Sequence, residues 1–260
     1  MGKRQIITAA LGLLFLGSAP WAWADLSPQP VTGPVGWKNE AKLELAYAAV
    51  FGNAESQTGR FKSEYQATIK KNEFIFQAGG SYGRSQGVEN TNTYFGNGKW
   101  SYYFIPTTYT FGLLGFESNK YAGFWARDSA RIGFGHIFFQ TRTHKLSGEQ
   151  GVDYSYEIDV NLDARKKSFS GTTSSSYKIN LNSRAQFGQD FTWIYRWEYV
   201  YDYRLDSETA LSVKITGRLG LKSGVSIVYA NIPLKITTGS ETGNLKKTDT
   251  VVFTAFTVII

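Results

Sequence analysis

Residues 191–203 carry an aromatic side chain at every second position, and this alternation limits the fold of the chain more than any other feature. Side chains of a β-strand alternate between two faces, so one face of this strand is almost wholly aromatic. The other face carries charges of both signs, as expected for a strand between lipid and water. Twelve steps of about 3.3 Å at a tilt of about 45° span roughly 28 Å, which matches the apolar belt of an outer membrane. The residues predicted to face lipid are Phe191, Trp193, Tyr195, Trp197, Tyr199, Tyr201 and Tyr203.

The N-terminal residues predict export. Lys3 and Arg4 precede an apolar run over residues 6–16, and Ala22-Trp23-Ala24 has the small residues that signal peptidase accepts. We therefore expect residues 1–24 to be a cleaved signal peptide. No later run of 18 apolar residues would form a transmembrane helix, so crossing a membrane would require a closed barrel.

The composition favours strands over other structures. The chain has no cysteine, 27 glycines and 16% aromatic residues, which is typical of many long strands relieved by glycine. The formal charge of +7 falls to +5 when Lys3 and Arg4 leave with the signal. This charge is dispersed through alternating segments and does not indicate a nucleic-acid partner.

Residues 25–36 hold three prolines and predict an extended lead-in, and alternation then runs from Trp37 to Ile260. We expect one all-β domain over residues 37–260, a transmembrane antiparallel up-and-down β-barrel of about twelve strands. Tight turns are predicted near residues 71–72, 105–107, 142–143, 188–190 and 222–224. Longer loops are predicted near residues 52–58, 84–91, 118–125, 159–175 and 237–247, with one short link at residues 206–207.

The inward faces of the five clearest strands predict the character of the lumen. They carry eight positive and three negative groups. Unpaired charges are costly in a dry interior, so we expect a partly wet lumen with a weak preference for anions. The predicted lumen-lining residues are Lys62, Glu64, Lys99, Lys178, Arg184, Arg196, Glu198, Asp202, Arg204, Lys214 and Arg218.

Three segments resemble a known family. They are GWKNEAKLELAYAAVFGNAESQTGRFKSEYQA, KWSYYFIPTTYTFGLLGFESNKYAGFWARDSARIGFGHIF and the closing KKTDTVVFTAF. From Trp37 onward the chain is similar to the YdiY-like salt-induced outer membrane proteins. The resemblance implies an outer-membrane barrel of undefined biochemical function connected with salt or osmotic response, and it supplies no functional residues. The chain departs from such barrels at its end, because Ile260 replaces the usual terminal aromatic residue.

The alternatives are an outer-membrane hydrolase and a soluble periplasmic β-protein. A lipase or esterase would use His136 beside Ser129 or Ser147, yet no nucleophile elbow accompanies that histidine. We therefore predict that the protein is not an enzyme and has no cofactor.

Two charged clusters could bind ions or lipid. Asp153, Glu157, Asp159 and Asp163 form the densest acidic set, although the basic residues 165–167 that follow favour local pairing over a metal. The same basic residues could contact lipopolysaccharide phosphates. The expected partners are thus outer-membrane lipid, lipopolysaccharide and the barrel-assembly machinery.

Overall fold

The computed structural model describes residues 38–50, 56–119, 121, 124–159, 165–198, 201–232, 235–238, 241–244 and 247–260. The predicted signal peptide and lead-in lie outside the described residues. Within the described part, no helix is long and apolar enough to cross a membrane.

Twelve strands close into an antiparallel barrel in which neighbours in sequence are neighbours in space. A small separate hairpin, β12 and β13, lies between β11 and β14 in sequence. The predicted up-and-down barrel of about twelve strands is confirmed. The strands are β1 (Lys38–Val50), β2 (Ser56–Ile69), β3 (Asn72–Ser85), β4 (Val88–Ile105), β5 (Thr108–Asn119), β6 (Phe124–Gln140), β7 (His144–Asp159), β8 (Arg165–Asn180), β9 (Ala185–Arg196), β10 (Tyr203–Lys214), β11 (Leu219–Ala230), β12 (Lys235–Thr238), β13 (Glu241–Asn244) and β14 (Thr248–Ile259).

The first and last strands meet at one end of the barrel, which we call the terminal rim. The Ile260 amide there donates to the Ala41 carbonyl at 2.9 Å. Connections at this rim are short, whereas those at the opposite distal rim are mostly longer. The terminal rim has residues 70–71, 106–107, 141–143, 181–184 and 215–218. At the distal rim, consecutive barrel strands end and begin at Val50 and Ser56, Ser85 and Val88, Asn119 and Phe124, Asp159 and Arg165, Arg196 and Tyr203, and Ala230 and Thr248.

The aromatic strand is shorter than predicted. β9 ends at Arg196, and Tyr203 begins β10 and pairs with Tyr195. The prediction failed because residues 197–202 contain neither glycine nor proline. The aromatic alternation also continues through them in the sequence. Tyr195 and Tyr203, which pair across the two strands, both point outward.

Several predicted connections are also wrong. Three predicted turns or links lie inside strands: residues 188–190, 206–207 and 222–224. Most of the predicted loop at residues 159–175 belongs to β8. In place of the predicted long loop at residues 84–91, Gln86-Gly87 is a two-residue turn with positive φ at both residues.

Side-chain oxygens stabilise the turns that the structure shows. Asn182 Oδ1 accepts from the amides of Arg184 and Ala185, both at 2.8 Å. Thr141 and Thr216 accept from following amides in the same way, as in Asx and Ser/Thr turns.

The seam between the first and last strands is the shortest pairing in the barrel. Lys42–Leu45 pair with Phe256–Ile259, whereas β1 pairs with β2 from Lys38 to Val50. Among the described residues, the part of β1 beyond Leu45 is paired with β2 and not with β14.

The two faces of the barrel differ sharply. Ile132, Leu114 and Phe134 on the outer face are 70%, 68% and 66% exposed. On the inner face, Lys99 and Glu73 are 2% and 0% exposed. A surface of large exposed apolar side chains around a polar interior inverts the arrangement of a soluble protein, which argues against the soluble alternative.

Candidate functional site

An aromatic cluster fills one side of the interior near the terminal rim. The chain turns at residues 106–107, which places Tyr103 on β4 opposite Tyr109 on β5, with ring centroids 4.9 Å apart. Gly135 on β6 leaves room for the Tyr109 ring, because a Cβ there would lie 2.0 Å from Tyr109 Cζ. We call this the terminal aromatic cluster, and its buried members are Ile75, Tyr103, Tyr109, Phe111, Leu113 and Ile137.

Two carboxylates, the buried Glu73 and the half-buried Glu149, bind the cluster to other strands. Glu73 accepts from the Tyr103 hydroxyl at 3.3 Å. Glu149 accepts from the Tyr109 hydroxyl at 2.7 Å and from Lys99 Nζ. The Lys99 ammonium also lies 4.6 Å from the Phe111 ring centroid. Because both rings are tied to charged groups on other strands, the cluster is a fixed part of the interior.

Ion pairs between the adjacent strands β6 and β7 line one part of the inner wall. Arg131 Nε donates to Asp153 Oδ1 at 2.7 Å, and the Thr172 hydroxyl donates to the other oxygen of Asp153. Nearer the distal rim, Arg127 Nη2 donates to Glu157 at 2.6 Å. Asp153 and Glu157, two members of the predicted acidic set, therefore serve as partners of arginines. Asp163 lies outside the described residues, and no group of three or more metal-ligating side chains is gathered in the described ones.

The other side of the interior is also charge-paired. Lys222 lies between Glu208 and Glu44, at 3.0 and 3.9 Å, and Lys42 lies 3.3 Å from Glu64. Acidic residues on β5 and β7, where the sequence did not fix the register, supply many of the negative groups. The cationic surplus inferred from five strands therefore does not describe the interior as a whole.

A cavity of about 990 Å³ opens beside this second set of pairs, at the terminal rim. We call it the terminal vestibule. Lys42 and Lys222 lie deep in it, together with their acidic partners Glu40, Glu44 and Glu208. Four further cations line it: Arg142 and Arg184 lie in hairpin turns, and Lys178 and Lys214 lie near the ends of β8 and β10.

The structure divides the predicted lumen residues into two groups. Those on the inward face of strands are Lys62, Glu64, Lys99, Lys178, Arg196 and Arg204. The other five lie at the rims. Arg184 and Arg218 are exposed in turns of the terminal rim that the predicted strands ran through, and Lys214 is the exposed last residue of β10. Glu198 and Asp202 belong to the distal connection at residues 197–202. Asp202 still bonds Arg196 Nη1, at 2.7 Å. Sequence reasoning did not place Arg131, Glu149 and Asp153 in the lumen, because the alternation of β6 and β7 is interrupted by glycines and bulges.

The predicted lipid-facing residues are divided in the same way. Phe191, Trp193, Tyr195 and Tyr203 lie on the outer face. Trp197 and Tyr201 are exposed in the distal connection. Tyr199 lies outside the described residues.

His136 does not meet a serine nucleophile. It lies on the outer face, where its Nδ1 is 2.9 Å from Thr108 Oγ1 and its ring packs edge-on against Phe138. Ser129 and Ser147 belong to the inner face, and the Ser129 hydroxyl donates to the Gly115 carbonyl at 3.3 Å. The wall of the barrel therefore separates the residues that the hydrolase alternative requires.

Comparisons with known proteins agree with this architecture. The profile of a family described as "Protein of unknown function, DUF481" matches residues 43–258. The chain is 24% identical over 194 residues to uncharacterized protein YdiY of Escherichia coli (strain K12), covering 75% of each chain. The NanC porin superposes with a TM-score of 0.50 at 9% identity, covering 86% of this chain and 100% of that one. The translocator domain of autotransporter NalP from Neisseria meningitidis gives 0.45 at 10% identity, covering 88% and 89%. The resemblance inferred from sequence is confirmed, and the likeness to NanC concerns the fold alone.

Proposed function

Because this chain belongs to the DUF481 family of proteins of unknown function, we propose its role from its own geometry: a narrow passive pore of the outer membrane with a weak preference for anions. The observation that carries the proposal is the terminal vestibule, a cavity of about 990 Å³ lined by cations from separate hairpins. A twelve-strand barrel is wide enough for a lumen that side chains narrow without filling.

The anion preference comes from the mouth of the vestibule. Arg142, Arg184 and Lys214 belong to the turn region of three different hairpins, yet all border the same opening. Deeper in, Lys42 and Lys222 are compensated by carboxylates. Positive potential focused at a mouth raises the local concentration of small anions. The terminal aromatic cluster occupies the other side, so the conductance should be small.

Planar bilayers with a KCl gradient test the proposal. Wild-type protein should show a small conductance with a reversal potential on the chloride side of zero. Arg184→Gln and Lys214→Gln should each move that potential toward zero. Arg84→Gln is the matched control, because Arg84 bonds the Tyr82 hydroxyl at 2.6 Å on the outer face, away from the vestibule. A cation-selective wild type would refute the anion preference, and inserted barrels without conductance would leave only a structural role in the envelope.

The proposal also includes partners and a physiological setting. Export by a cleaved signal, insertion by the barrel-assembly machinery and contact of lipopolysaccharide with the exposed residues 165–167 at the distal rim are consistent with this location. A link to salt stress follows from the family resemblance, and it predicts a higher protein level in high-salt medium. We assign no catalytic step to the chain, and labelling by an active-site serine reagent would contradict that assignment.

A further inference from the structure

Among the residues that the structure describes, outward polar side chains near mid-depth are concentrated on one side of the barrel. On β8 to β11 and β14, serine, threonine and glutamine occupy outward positions that hold large apolar side chains elsewhere. We call this set the outer polar band, and its members are Ser175, Gln189, Ser207, Thr209, Ser223 and Thr254.

The band lies in the middle of the apolar belt. Each member is four to seven residues from the end of its strand at the terminal rim. At about 3.3 Å per residue and a tilt of about 40°, that places the band roughly 10 to 18 Å above the rim. The apolar belt of such barrels is about 25 Å tall. At the same level, the β1–β6 side presents Leu43, Phe76, Leu114 and Phe134.

The members of the band bond to one another across strands. Gln189 Nε2 donates to Ser207 Oγ at 2.9 Å, and the Thr209 hydroxyl donates to Gln189 Oε1. Ser223 and Thr254 share a hydroxyl hydrogen bond of 2.7 Å. Ser207 accepts in the first bond, so its own hydroxyl proton is not used there. Hydrocarbon chains offer no acceptor to such groups, and burying them there is unfavourable.

We propose that the outer polar band is the interface between two copies of this chain in the membrane. Every copy crosses the membrane in the same direction, so the symmetry axis of a closed oligomer must run along the membrane normal. Residues at one depth then meet residues of the partner at the same depth. A polar band confined to mid-depth is therefore complementary to itself. The Gln189 amide group donates to Ser207 and to the Asp190 carbonyl of its own chain, but Gln189 Oε1 keeps a second lone pair beside the bond from Thr209 and can accept from the Ser207 hydroxyl of the other copy. This inference rests on the membrane location in the proposed function, but not on conductance.

The chain has no cysteine, so single-cysteine variants report directly on the interface. Ser207→Cys and Ser175→Cys, oxidised in native membranes, should each give a covalent dimer. Ser63→Cys is the matched control, because Ser63 is also an outward, exposed serine near mid-depth but lies on β2, outside the band and four strands away from β10. Equal dimer yields at Ser63 and Ser207, or no dimer from either band variant, would overturn the proposal.

A second variant tests whether polarity holds the copies together. A leucine side chain is stable in contact with lipid, so Gln189→Leu should still give a folded barrel. A folded barrel is recognised because it migrates faster on unheated gels than the heat-denatured chain. Its dimer association constant in detergent should fall about tenfold, which corresponds to the loss of interfacial hydrogen bonds in an apolar medium. A folded Gln189→Leu barrel with undiminished dimerisation would overturn the proposal, even if the wild type conducts as proposed above.

Discussion

Replacing Gly135 by alanine should destabilise the barrel through the terminal aromatic cluster. The new Cβ would lie 2.0 Å from Tyr109 Cζ, whereas an ordinary contact needs about 3.4 Å, so the ring must move by about 1.4 Å. Tyr109 is fully buried and its hydroxyl bonds Glu149 at 2.7 Å. Losing a bond to a charged acceptor costs about 1.5 to 3 kcal/mol, and overpacking costs about 1 to 3 kcal/mol more. We expect a total loss of about 2.5 to 6 kcal/mol.

The assay is urea unfolding of the refolded barrel in detergent micelles, followed by tryptophan fluorescence. Gly188→Ala is the matched control, because Gly188 also lies on the inner face of a strand but a Cβ there would meet nothing within 4 Å. That variant should be neutral or slightly more stable than wild type, since alanine loses less backbone entropy than glycine. If Gly135→Ala unfolds at the same urea concentration as Gly188→Ala, the Tyr109 ring does not occupy the space beside Gly135.

Two further pairs of variants test the inner and the outer face of the barrel. Arg131→Met should cost about 3 to 5 kcal/mol because Asp153 stays buried without its cation, while the double variant Arg131→Met/Asp153→Leu should recover most of the loss. A double variant as unstable as the single one in urea titration would show that packing, not charge, is responsible. Leu114→Arg, at a 68% exposed outer position near mid-depth, should cost about 2 to 4 kcal/mol and reduce the folded protein recovered from outer membranes. Leu114→Phe should be tolerated, and equal recovery of both variants would contradict lipid contact at this position.

Alternation was sufficient to predict the class of fold and, for the five clearest strands, the side that faces inward. Lys62 and Lys99 lie inside and Phe191 and Trp193 lie outside. These positions were predictable because side chains alternate between the two faces along the whole of each regular strand. Strand ends were harder, because the aromatic pattern continues from β9 into β10 through residues 197–202. The useful signal was turn chemistry: Asn182 and Thr216 each bond two following amides, while glycines such as Gly188 serve packing inside strands.

The site was less predictable than the fold. Arg131, Glu149 and Asp153 lie on strands whose glycines and bulges obscure the period, so their partners could not be assigned from sequence. Arg184 and Arg218 were assigned to the lumen because the predicted strand passed through a turn. The prediction of anion preference therefore keeps its direction, but its physical basis moves from the lumen wall to the mouth.

The short seam between β1 and β14 has a kinetic consequence. Closing it joins residues more than 200 positions apart and gains pairing only over Lys42–Leu45 and Phe256–Ile259, so much entropy is lost for few bonds. Such a step should come last in folding and should reverse first, because the remaining strands stay paired when the seam separates. Hydrogen exchange should therefore be faster at the backbone amides of Leu45 and Phe256 than at paired backbone amides between β2 and β3. Comparable protection at both places would mean that the barrel opens only as a whole.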